Sequence, residues 1–249
     1  GHITLSGSGQ QSNMVLFDIQ SDQKEAVKEV LNKYNLPLIQ EVPVVSMRIS
    51  GLKGRPLSAI YSDSTQRISR WSLRREYRST YRSHLIDTEV LLQGDLQDRI
   101  KGDTPFIYVS MEAGVAKTLR VTMGDEIEFD VQGIPVKTIV GSIRSVDWQR
   151  VQPNFFVVFP EGVLEMAPQF HVLVTRIDDV TLSADFQREI VHTFPNVSMI
   201  DLSLILSTLN SILDKVTIII KFMALFSVFT GLIVLIGVIT NSRFQRIQE

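Results

Sequence analysis

Nineteen consecutive residues, Phe222 to Thr240 (FMALFSVFTGLIVLIGVIT), carry no charge. At about 1.5 Å of rise per helical residue, such a run spans the roughly 30 Å hydrocarbon core of a bilayer. It predicts a transmembrane helix over 222–240. The alternative is a buried helix in a large core, but core helices rarely run this long without a polar face. The flanks agree with a membrane. Lys221 can snorkel at one edge, and Asn241, Ser242, Arg243 and Arg246 close the other. Ser227 and Gly231, four residues apart, form a small-residue face on which a second helix can approach closely in lipid.

Just before this run, Leu202, Leu206, Leu209, Leu213, Val216, Ile220 and Met223 fall at alternating steps of four and three, with Ser203, Ser207, Asn210, Ser211 and Asp214 between them. That spacing is a heptad seam on a water-exposed helix. No Gly or Pro separates seam from apolar run, so one continuous helix of about forty residues, on the order of 60 Å, is expected. Its 201–221 portion is a stalk and its 222–240 portion a membrane anchor.

The full sequence has 249 residues and a net charge of −2. Without the stalk and anchor, roughly two hundred residues remain, enough for one large domain or two small ones. Near-neutral charge argues against a nucleic-acid binder, whose phosphate contacts need a basic excess. There is no cysteine, which excludes disulfides and thiolate chemistry. The first residue is Gly1 rather than Met, so a slice of a longer protein is expected, with an earlier membrane helix missing.

Residues 1–12, with Gly7, Ser8 and Gly9, read as a linker. Met14 to Ile19 is a strand, after which Ser21 or Asp22 caps a helix through about Tyr34 whose apolar face is Ala26, Val27, Val30 and Leu31. Leu38 to Ile49 is rich in Val and Ile and reads as a strand interrupted at Pro43. Residues 13–52 are thus the first part of an α/β subdomain. From 53 to 168 short strands alternate with Gly, Pro and Asp, giving a β-rich insert: a short helix over Ser110 to Leu119, a turn at Gly124 and Asp125, and strands at Glu126 to Val131, Pro135 to Val146 and Asn154 to Phe159. Residues 169–200 repeat the opening pattern, with a strand at Phe170 to Arg176, a helix at Leu182 to Phe194 and a strand at Val197 to Ile200, before Asp201 caps the stalk. The fold class is therefore α+β, a discontinuous α/β subdomain interrupted by a β-rich one.

Arg67, Arg70, Arg74, Arg78 and Arg82, interleaved with Trp71, Tyr77 and Tyr81, form the densest basic and aromatic stretch. Two readings stand: an anionic-ligand patch, such as a lipid head-group site, carried by Arg70, Arg74, Arg78 and Arg82, or solvated arginines whose stems cover apolar surface. The second takes precedence. His2, His84, His171 and His192 lack metal-ligand spacing. Asp178 and Asp179 are adjacent and point apart on a strand, so they start the following helix rather than pair for catalysis. No nucleophile, acid–base or cofactor constellation emerges, and the chain is not expected to be an enzyme or to hold a cofactor or metal.

Five runs carry a family resemblance: SNMVLFDIQSDQ at Ser12 to Gln23, PVVSMRISGLKGRP at Pro43 to Pro56, LRREYRSTYR at Leu73 to Arg82, TMGDEIEFDVQG at Thr122 to Gly133, and SIRSVDWQRVQPNFFVVFP at Ser142 to Pro160. Together with the stalk and anchor they resemble the extracytoplasmic domain and following membrane helix of FtsX-like and MacB-like ABC transporter permeases. The resemblance implies a porter-like α/β subdomain with a β-rich insert, in the periplasm of a bacterial cytoplasmic (inner) membrane. It further implies an ABC ATPase subunit as partner, mechanical transmission through the stalk to the outer domain, and lipids, lipoproteins or other amphiphiles, or a periplasmic partner protein, as what that domain acts on. Residues 241–249 are then the cytoplasmic start of a coupling segment. The flanking charges alone leave orientation tied, with Lys215 and Lys221 on one side and Arg243 and Arg246 on the other. The rival reading is a membrane-tethered sensor or activator of an extracytoplasmic partner, without an ATPase.

Overall fold

The structure, a computed structural model, describes residues 12–62, 68–100, 106–149, 152–202 and 215–231. It divides into two compact units, Gly1–Ile200 and Asp201–Glu249. In chain order the first unit contains β1 (Met14–Gln20), α1 (Lys24–Lys33), β2 (Gln40–Leu52), β3 (Arg55–Pro56), α2 (Leu57–Ser62), α3 (Arg70–Arg74), β4 (Tyr77–Tyr81), β5 (Glu89–Gly94), β6 (Tyr108–Glu112), α4 (Ala113–Leu119), β7 (Glu126–Val131), β8 (Ile134–Val146), β9 (Val157–Phe159), β10 (Phe170–Thr175), α5 (Val180–Thr193) and the start of β11 (Ser198–Asp201). The class is mixed α/β.

The strands at the two ends of this unit lie side by side in the order β11, β1, β10, β2, with β10 antiparallel to both β1 and β2. With α1 after β1 and α5 after β10, this is the strand order of a split β-α-β arrangement. Its β2-to-β10 connection carries everything from 53 to 169. Period-two alternation explains how the sheet is covered on both faces. Met14, Leu16 and Leu173 turn to a core closed by Val27 and Leu31 of α1 and Phe186 and Ile190 of α5. Val42, Val44, Val172 and Val174 turn to the opposite face and meet Phe155 and Val158.

β2 is the spine of the molecule. Its first half pairs with β10, while Val45 to Met47 pair with β4 and Arg48 to Leu52 with β7. A third and larger core, including Val45, Met47, Leu73, Met111, Leu119, Ile127, Phe129 and Phe159, fills the inside of this second set of strands. β9 serves both cores, with Val157 and Phe159 in the larger and Val158 in the smaller. Beyond it the order runs β4, β9, β6, β8, β5. Each fully buried Leu, Ile or Phe in these cores contributes about 1.5–3 kcal/mol relative to exposure.

Three local expectations are corrected. The strand is not interrupted at Pro43: β2 passes through it, opposite His171 of β10, and its carbonyl accepts the Thr80 hydroxyl at 2.7 Å. The Ser21 or Asp22 cap does not form. Helix α1 starts after Gln23 with no side-chain cap bond, and the Ser21 hydroxyl lies instead 3.3 Å from His171 Nε2. Residues Ser110 to Glu112 are strand, not helix, because Val109 and Met111 alternate into the core. Glu112 then caps α4, its carboxylate accepting the Gly114 and Val115 amides, both at 2.8 Å. Asp179 caps α5 in the same manner, through the amides of Thr181 and Leu182.

In the second unit residues 215–231 are helical and every one of them is exposed. Among the described residues no helix is long and apolar enough to cross a membrane. Of the proposed span, 232–240 lies outside the described residues.

Candidate functional site

Helix α3 and strand β4 position the arginine-rich stretch. Ser72 and Leu73 bury the inner side of α3, so Arg70, Trp71 and Arg74 are left facing solvent, with Trp71 68% exposed. On β4, Tyr77 and Ser79 point inward and Arg78 outward. The Tyr77 hydroxyl donates to the Ser72 carbonyl at 2.7 Å, tying strand to helix, and burial pushes its pKa up to about 12.

Each of three arginines lies over aromatic rings. Arg74 stands 5.4 Å from the Tyr61 ring centroid, Arg78 stands 5.5 Å from Phe170, and Arg75 is enclosed by Phe156 at 4.4 Å, Trp71 at 4.7 Å and Tyr77 at 5.1 Å. Cations over ring faces gain about 0.5–2 kcal/mol according to desolvation. Arg75, absent from the sequence-level candidates, is the best embedded of the three. Its signal was the Trp and Tyr that flank it, which any basic neighbour could have used.

Arg82 is not on this surface. It is buried with Glu89 and Arg144, whose side chains are both 0% exposed. One oxygen of Glu89 accepts from Arg82 Nη2 and, at 2.9 Å, from Arg144 Nε. Arg144 Nη1 donates to the Ser110 carbonyl at 2.6 Å, and Nη2 to the Phe155 carbonyl. Two cations share one carboxylate here, and backbone carbonyl dipoles solvate the rest of Arg144, while Arg82 Nε is buried without a hydrogen-bond partner. Burial pulls both guanidinium pKa values down and Glu89 opposes it; a guanidinium nevertheless stays charged in proteins. The sequence signal for Arg144 was its phase: Thr138, Val140, Ser142 and Arg144 all alternate inward along β8. The cluster joins β5, β6, β8 and the segment before β9, and it offers no group free to transfer a proton.

His171 is buried on β10. Burial is the largest cause of its lowered pKa, followed by the cation of Lys24, with Glu41 opposing. Among the described residues no group of three His, Asp or Glu side chains could hold a metal ion. Of the seam, Leu202, Val216 and Ile220 are described, the last two exposed on the 215–231 helix, as are Ser227 and Gly231; Leu206, Leu209 and Leu213 lie outside the described residues. Within that helix the Thr230 hydroxyl donates back to the Phe226 carbonyl at 2.8 Å, which satisfies it without a partner helix.

No protein-family model matches the chain. In sequence it is 28% identical over 239 residues to the uncharacterized ABC transporter permease YbbP of Escherichia coli (strain K12), a match that takes in 95% of this chain and 27% of that protein. The chain thus spans about a quarter of that relative's length. Among solved structures, the periplasmic region of MacB from Actinobacillus actinomycetemcomitans aligns with a TM-score of 0.40 and 12% identity, covering 80% of this chain and 94% of that one. A domain of a permease protein from Porphyromonas gingivalis gives 0.38 and 7%, covering 76% and 89%. With 28% identity sustained along 95% of its length, the chain is a homologue of a segment of an ABC transporter permease.

Proposed function

We propose that this chain is the extracytoplasmic domain, stalk and following membrane helix of an ABC transporter permease. The observation that carries the reading is the continuity of the match to a permease across 95% of the chain. In this reading residues 13–52 and 169–200 form a porter-like subdomain, 53–168 its β-rich insert, 201–221 a stalk packed along Leu202, Leu206, Leu209, Leu213, Val216 and Ile220, and 222–240 a membrane helix that packs through Ser227 and Gly231. A further argument comes from exposure. Phe222, Leu225, Phe226, Val228 and Phe229 are each more than half exposed in the 215–231 helix. A helix apolar on all sides is buried in a core or in lipid, and water is the one environment it cannot tolerate.

The domain would face the periplasm from the bacterial inner membrane, and ATP hydrolysis would belong to a separate ABC ATPase subunit. Nucleotide-driven movement would pass through the stalk to the outer domain, which would act on lipids, lipoproteins or other amphiphiles, or on a periplasmic partner protein. The test is to purify the full-length gene product in mild detergent and identify by mass spectrometry what accompanies it. An ABC ATPase in near-equal amount is expected. Its reproducible absence, with an extracytoplasmic protein in its place, would replace this reading by that of a tethered sensor.

A further inference from the structure

Six strands close into a ring. β2 pairs with β4, β4 with β9, β9 with β6, β6 with β8, β8 with β7, and β7 with β2 again. Strand direction decides what collects at each end of this barrel. β4 and β9 are parallel, β9 is antiparallel to β6, and β6 is parallel to β8. The starts of β4 and β9 and the finish of β8 therefore share one end. Trp71 and Arg75 come just before β4, Phe156 just before β9, and Trp148 just after β8.

These four side chains meet in a row. The Arg75 guanidinium lies 4.7 Å from the Trp71 ring and 4.4 Å from that of Phe156, whose centroid is in turn 4.9 Å from that of Trp148. Trp71 and Trp148 are the chain's two tryptophans, and they are 68% and 48% exposed. Single exposed aromatics are ordinary on a protein surface, but both tryptophans gathered around one arginine are a contiguous patch. Trp, Tyr and Arg are the residues that concentrate binding energy at the centre of protein–protein interfaces.

Charge selects the partner. The rings around Arg75 hold its guanidinium without accepting its N–H groups, and among the described residues no carboxylate or carbonyl accepts from that side chain. Arg70 and Arg74 stand beside Trp71 on α3 and likewise form no ion pair. The carboxylates next in sequence are directed elsewhere: Asp147 accepts the Gln149 amide at 3.0 Å, and Glu76 lines a separate cavity with Arg48 and Asp130. A planar fork of donors is thus held between two exposed indoles in a basic surround. A carboxylate matches that fork with two parallel hydrogen bonds. A protein segment supplies the carboxylate together with side chains that stack on indole, whereas a phosphate head group supplies only the anion.

We propose that this end of the barrel docks an acidic segment of a partner protein, with one Asp or Glu carboxylate bound by Arg75 and the side chains beside it packed on Trp71 and Trp148. The surface deepens the permease reading, in which a periplasmic partner protein is one of the things the domain acts on, and rests on that reading for the compartment where the partner is met.

The test places p-benzoylphenylalanine at the exposed position of Gln149, next to Trp148, in the full-length protein within its own cells, and maps the photo-adduct by tandem mass spectrometry. An adduct on a protein segment containing Asp or Glu is expected. Arg75→Gln should cut it about tenfold or more, as loss of a charge-assisted contact implies. Trp148→Ala should do the same, and because that ring packs on Phe156 at the surface, this variant decides the matter even where Arg75→Gln fails to fold. Arg78→Gln, which removes a guanidinium lying over Phe170 and outside the row, should leave the adduct unchanged. Replacing the mapped Asp or Glu by Arg should abolish the adduct, and Arg75→Glu in the same cells should restore part of it. No protein adduct, an adduct on phospholipid, one on a segment without a carboxylate, or an equal loss in Arg78→Gln would overturn the surface. An ATPase that co-purifies without the acidic adduct would remove the surface and leave the permease reading. The acidic adduct without a co-purifying ATPase would do the reverse.

Discussion

At the scale of single residues, the chain concentrates its costs in a few places. Glu89 neutralises one of two buried guanidinium groups and bonds to both. Removing its charge leaves Arg144 uncompensated where water cannot reach. Glu89→Gln should destabilise the first unit by about 3–5 kcal/mol, read as a drop in the urea midpoint; a loss below about 1 kcal/mol would mean the carbonyls of Ser110 and Phe155 suffice to solvate Arg144. His171 sets a pH dependence. Its folded pKa lies below the ordinary value of 6.5, so below about pH 6.5 the unfolded chain binds more protons than the folded one. The stability it contributes is complete above that pH and is lost as pH falls through the window beneath it. Lys24 and Lys28 on α1 reinforce the trend, and Glu41 and Glu25 oppose it. His171→Gln should flatten the acid limb of a stability-versus-pH profile between pH 6.5 and the folded pKa. An unchanged limb would place the acid sensitivity elsewhere.

At the scale of elements, alternation was legible and boundaries were not. β1, β7, β8, β10 and α5 follow directly from period-two and period-3.6 patterns, because each buries a single face or alternates between two cores. β2 was misread at Pro43, since a proline in mid-strand ordinarily marks an edge; here β4 pairs only from Val45 onward. The Ser110 to Glu112 stretch was misread because its small and flexible residues suit either state, and only the β6 pairing with β8 and β9 decides it. That pairing is close. A Cβ on Gly141 of β8 would lie 2.6 Å from Cβ of Tyr108 on β6. Gly141→Ala should therefore cost about 1–3 kcal/mol by forcing the two strands apart. The same denaturation measured on Gly141→Ala with Tyr108→Gly, which removes the opposing Cβ, should recover part of it relative to Tyr108→Gly alone, and no recovery would assign the cost to another contact.

At the scale of the whole molecule, sequence and structure divide the work unevenly. The uncharged Phe222 to Thr240 run and its flanks pointed to a membrane setting, and ordered motifs pointed to ABC permeases, where a homologue is found. The arginine-rich stretch could not be resolved without coordinates. Four arginines at similar spacing meet four different fates there, because spacing along a chain says nothing about which side chain meets Glu89 and which meets Phe170. If the proposed stalk transmits force, Leu209→Asp with Leu213→Asp should leave the full-length protein in the membrane fraction but abolish any ATP-dependent change in proteolytic protection of the outer domain. A persisting change would show that force travels by another path.

The sharing of β2 between both sets of strands limits how this architecture can be cut and recombined. The stretch from Val45 to Leu52 lies outside the 53–169 connection yet supplies the partner for both β4 and β7. A graft that exchanged only the connection between relatives would strip the transplanted lobe of the strand on which it closes. Exchange has to carry Val45 to Leu52 as well, so the lobe is heritable as a cassette only with half of its host's spine attached.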